Sequence, residues 1–118
     1  MEYEEVGDYD QIKTQILLES NKESEVIQGL LSLVFYSCDY SLSLNRALFF
    51  SSHKNTYIKS CAIECFGHIA RIHKKLDLKK VKPILKENKT NKNLIIKGKC
   101  IIALDDIEHF LKIKISFQ

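Results

Sequence analysis

Apolar residues recur at helical spacing through nearly the whole chain, and little interrupts them. The 118 residues include one proline and four glycines. Alternation of period two, bounded by paired turn residues, is missing, so hairpins of strands are not indicated. Six helical segments follow from the pattern. The first starts near Asp8 with Ile12, Ile16 and Leu17 as its stripe, and stops at Ser20-Asn21. The second starts near Ser24 and ends at Tyr36-Ser37, carrying Val26, Ile27, Leu30, Leu31, Leu33 and Val34. Asp39 is placed to cap a third helix, with Leu42, Leu44, Ala47, Leu48 and Phe49, because a short side-chain oxygen can accept from the open N–H groups of a first turn. After the polar break Ser51–Asn55, Thr56 caps a fourth, striped by Ile58, Cys61, Ala62, Cys65, Ile69 and Ile72. Asp77 caps a fifth, with Leu78, Val81, Ile84 and Leu85 inward. The sixth runs from about Asn93 to Lys112 on Ile96, Cys100, Ala103, Leu104 and Ile107, closed by Phe110 or Leu111.

Helices of this length joined by short polar loops predict three antiparallel helical hairpins in one domain over residues 1–118. A period supports a repeat. Ile58-Lys59, Ala62 and Cys65-Phe66 align with Ile96-Lys97, Cys100 and Ala103-Leu104 at a shift of 38 residues. Pro83 lies inside the first helix of the last pair, where it removes one backbone hydrogen bond. The expected fold is all-α, with stacked hairpins of HEAT or armadillo type. An unpatterned helical bundle is the alternative.

Within that frame one stretch is distinctive. It contains Gly67-His68-Ile69-Ala70-Arg71-Ile72-His73, then Val81-Lys82-Pro83-Ile84-Leu85, then Ala103-Leu104-Asp105-Asp106-Ile107. Residues 45–111 resemble small bacterial HEAT-like proteins, the immunity proteins of contact-dependent growth inhibition systems. The first 44 residues carry no matching motif. The resemblance implies a protein that binds a cognate toxin domain, often a nuclease, and blocks it.

Charge is divided along the chain. Residues 1–45 hold nine acids against two bases, a formal −7; residues 46–118 hold sixteen bases against six acids, +10. An acidic surface can enter the basic cleft of a nuclease and speed encounter. Glu19, Glu23, Glu25 and Asp39, with Tyr36 and Tyr40, are therefore the expected toxin contacts, tyrosine being common at binding hot spots. The eight lysines from Lys74 to Lys92 are the basis of a different reading, nucleic-acid binding through phosphates, although that stretch lacks aromatic residues for stacking. A helical adaptor with another protein partner is a third reading.

Catalysis is not expected. There is no phosphate-binding glycine loop, and no nucleophile or carboxylate pair lies beside His68, Arg71 and His73. His68 and Arg71 are expected to bond to neighbouring loops and helix ends, and Asp105 or Asp106 to pair with Arg71 or loop N–H groups. Cys61, Cys65 and His68 share a helix face at metal-ligand spacing, with Cys100 as a conceivable fourth ligand, but that face is also the apolar stripe. Cys38, Cys61, Cys65 and Cys100 read as buried free thiols rather than metal ligands or disulfides. No cofactor, small-molecule substrate or membrane partner is expected. With no signal-peptide pattern or membrane-length apolar run, the expected location is the cytoplasm.

Overall fold

The computed structural model describes residues 9–117. Its six helices are α1 (Gln11–Leu18), α2 (Glu23–Tyr36), α3 (Tyr40–Phe50), α4 (Thr56–His73), α5 (Leu78–Asn88) and α6 (Leu94–Leu111). The fold is all-α, and no strand occurs among the described residues.

The helix ends show how local chemistry sets the elements. Asp10 and Asp39 each accept from the backbone N–H three residues on, at Lys13 and Leu42. Asn55 accepts from the N–H groups of Tyr57 and Ile58, and Asn93 accepts in the same way from Ile95 and Ile96. Asn55 is therefore the cap of α4, and Thr56, the expected cap, is the first helical residue. Asn fits because its carbonyl reaches both donors while its backbone stays extended. Asp77 occupies the cap position of α5 but makes no side-chain cap bond.

The 38-residue period extends to whole elements. α3 and α5 have 11 residues each, and α4 and α6 have 18 each. Asp39 and Asp77, Ser51 and Lys89, and Asn55 and Asn93 hold equivalent cap positions one period apart. Lys74 and Lys112 end the long helices in the left-handed region, both at φ 57°. Non-glycine residues rarely occupy that region, so its recurrence at one interval is a second signature of the repeat. In the core, Ile58, Ala62, Cys65 and Ile69 of α4 match Ile96, Cys100, Ala103 and Ile107 of α6, and all eight are buried.

Each helix pairs with its neighbour in sequence, α1 with α2, α3 with α4 and α5 with α6, while α2, α4 and α6 also pack side by side. Bonds at their N-terminal ends show that these inner helices run parallel. Asn55 donates to Glu23 at the start of α2 (3.0 Å), and Asn93 donates to Thr56 at the start of α4 (3.4 Å). The α4–α6 contact is the most extensive in the molecule, and Gly67 is central to it. A methyl carbon there would lie 2.9 Å from Asp106 Cβ and 3.4 Å from Ala103 Cα, so the backbones approach as closely as they do because position 67 has no side chain.

Two stripes differ from expectation. In α1, Ile12 and Ile16 are 76% and 64% exposed, while Thr14 and Leu18 face inward. Among the described residues α2 is the helix packed most closely on α1, and it takes that face. In α3, Phe49 is exposed and Phe50 buried, because adjacent helical residues point about 100° apart and only one can enter the core. The tail after α6 folds back on the core through Ile113, Ile115 and Phe117, and the Ile115 N–H donates to Glu108 at 2.8 Å.

Candidate interaction surface

The six expected toxin contacts divide into two groups. Glu19, Glu23 and Glu25 lie at the α1–α2 turn; Tyr36, Asp39 and Tyr40 lie where α2 passes into α3. With α2 fourteen residues long, about 20 Å separates the groups. Four of the nine N-terminal acids, Glu2, Glu4, Glu5 and Asp8, lie outside the described residues.

The four acids expected to meet a partner also have partners within the chain. Glu19 accepts from Gln15 (2.7 Å), Glu23 from Asn55, Glu25 from the Ser20 hydroxyl, and Asp39 from the Leu42 N–H. The tyrosines diverge. Tyr36 lines a shallow groove beside α1 with Tyr9, Asp10, Lys13 and Gln28. Tyr40 sits against the end of α4: its ring meets His73 edge-on at 5.4 Å, and the Lys75 ammonium lies 4.5 Å from its centre. Burial raises the Tyr40 phenol above its ordinary value.

The motif residues gather along α4. His68 packs on Phe35 of α2, ring centres 4.9 Å apart, and the Arg71 guanidinium lies 5.9 Å over the same ring. Neither hydrogen-bonds to a loop or helix end among the described residues, so the expected polar tie is an aromatic one. Phe35 stands between them because α2 and α4 are direct neighbours. Burial first, with help from Arg71 and Lys99, pushes the His68 imidazole below its ordinary value; Glu64 and Asp106 oppose this. His73 is also lowered, by burial and by Lys75, and its Nε2 is buried without a hydrogen-bond partner among the described residues. Asp106 lies against Gly67, and Asp105 is exposed. Neither forms an ion pair with Arg71, because the α4–α6 contact turns Asp106 toward Gly67 and leaves Asp105 facing outward.

The thiols occupy the packing seams. The neighbouring Cys65 thiol holds Cys61 lower, while the proximity of Cys61 and burial raise Cys65 well above the usual thiol range. Cys100 points to the Leu85 carbonyl at 3.4 Å and is pushed up to about 11 by burial. Burial thus disfavours the thiolate form at both Cys65 and Cys100. Cys38, expected in the core, is exposed, with φ 58°, in the α2–α3 link. No group of three or more potential metal ligands is assembled among the described residues.

The lysines contrast with the acids. Lys79, Lys80 and Lys86 are exposed on α5. Among the described residues, ion pairs engage only Lys99, with Glu64, and Lys114, with Glu108. No described helix is long and apolar enough to cross a membrane.

Comparison with known proteins bears on the fold. No protein-family model matches the chain, and no curated protein matches it. One solved structure that it resembles is the crystal structure of a CDI (contact-dependent inhibition) complex from Cupriavidus taiwanensis LMG 19424. The match has a TM-score of 0.73 at 23% identity and spans 93% of this chain and 97% of that one. The likeness is one of fold, across nearly the full length of both chains.

Proposed function

We propose that the protein is an immunity protein, which binds a toxin domain of a contact-dependent inhibition system and neutralises it by covering its working surface. The observation that carries this reading is the near full-length likeness to a chain of a CDI complex, since a chain of that fold is found there in an assembly. A binder is in keeping with two of the four thiols being buried in packing seams and with His68 and His73 packing against aromatic rings. We read the chain as a non-enzyme of the cytoplasm, where such a toxin would arrive, and a nuclease as the toxin's class. The acids at the start of α2 and the Tyr36–Tyr40 corner are then two separate candidate contacts. The test is co-expression with the gene directly preceding this one. Restored growth and co-purification of the two products are expected. A lethal preceding gene that this protein neither binds nor counteracts overturns the reading.

A further inference from the structure

We infer that the outer face of α5 is a docking trough for an acidic amphipathic helix of a protein partner. Between α5 and the returning tail lies an open trough of about 390 Å³, lined by Leu78, Lys79, Lys82, Pro83, Lys86 and Phe117. Its floor is apolar and its rim is cationic. No described acid pairs with Lys79, Lys82 or Lys86, whereas the described acids of the N-terminal half, Asp10, Glu19, Glu23, Glu25 and Asp39, are engaged by caps and side-chain bonds. The Lys89 ammonium sits 5.1 Å from the centre of the Phe117 ring, which steadies that wall. Pro83 has no N–H to give the Lys79 carbonyl, so this helix turn lacks one internal bond.

The occupant follows from spacing and charge. Lys79, Lys82 and Lys86 stand at i, i+3 and i+7, one stripe about 10 Å long. A second helix with carboxylates at the same intervals would meet all three, and its large apolar side chains would enter the trough beside Pro83 and Phe117. A nucleic-acid backbone would satisfy the ammonium groups but leave the apolar floor unfilled, and the one aromatic ring is already occupied by Lys89. The inference rests on reading the chain as a protein binder, but not on the partner being a toxin.

The test uses the full chain and fluorescence anisotropy. The probe is a labelled helical peptide of about 20 residues, with glutamates one turn apart and leucines between them. Lys82→Glu with Lys86→Glu should weaken its binding about tenfold or more. Lys54→Glu with Lys97→Glu, the same charge change elsewhere, should not. Replacing the peptide's leucines by serine should also weaken it. The inference is overturned if the peptide does not bind, if polyglutamate or a single-stranded oligonucleotide binds as well, or if both lysine pairs weaken binding equally. Circular dichroism on each variant separates lost binding from lost folding. Growth rescue by the preceding gene's partner is scored separately. Rescue without peptide selectivity removes the trough alone, and selectivity without rescue removes the toxin reading alone.

Discussion

α4 and α6 are the same helix twice, in different company. They share length, an asparagine cap with two bonds, and a left-handed lysine at the end. Yet α4 buries nine residues and α6 four. Ile63, fully buried on α4, corresponds to Ile101, 43% exposed on α6. Gly67, pressed against a neighbouring helix, corresponds to Asp105, which faces outward. Local signals decide where a helix begins and ends, but position in the stack decides how much of it is covered. α4 lies between α2 and α6, whereas α6 has an inner neighbour on one side only.

That contrast can be broken experimentally, and the largest effect belongs in α4. Phe66→Ala should cost about 3–5 kcal/mol by removing a fully buried ring, while Ile101→Ala on the open side of α6 should cost less than about 1 kcal/mol. Urea denaturation checks both. Gly67→Val should cost about 1–3 kcal/mol by forcing α4 and α6 apart, whereas Gly98→Ala, whose added carbon meets nothing within 4 Å, should stabilise by about 0.5–1 kcal/mol through the better helix propensity of alanine. Asn55→Ala and Asn93→Ala should each cost about 1 kcal/mol and match one another, because a cap depends on its own first turn. A wide gap between them would mean that Asn55's bond to Glu23 or Asn93's to Thr56 contributes beyond capping. Lys74→Gly and Lys112→Gly should each add about 0.5–1 kcal/mol by relieving the left-handed backbone. The smallest effect is pH-dependent. His68 is held below its unfolded value of about 6.5, so its contribution is full above that pH and lost as pH falls toward the folded value. His68→Phe should flatten thermal stability between about pH 7 and 5.

Most of the helix layout was legible because its causes are local. The Asp39 and Asn93 boundaries follow from one side chain and the N–H groups after it, and the 38-residue period is visible in the small residues of α4 and α6. What was not legible depends on neighbours. The segment Ile12–Leu18 has apolar residues on more than one face, and only the placement of α2 decides that Thr14 and Leu18 turn inward. Asn55 and Thr56 are both competent caps, and the choice rests on one residue of backbone geometry. The acidic cluster was readable as composition but not as a surface. The expected span of the second helix already sets Glu23 apart from Tyr36, but sequence does not reveal that Glu23 meets Asn55. The lysines of α5 were visible, but the trough needed Phe117, brought over by the tail.

The equal interval between caps carries an evolutionary consequence. Tandem duplication of residues 75–112 would lengthen the protein as a screw gains a thread, with every helix end still at its proper phase. Loss of a single residue early in α6 would do the opposite. It would swing the remainder of α6 by about 100° and offer its charged flank to the seam where Gly67 now sits. Lineages of this chain should therefore vary in whole threads, and tolerate odd lengths only in the links between helices.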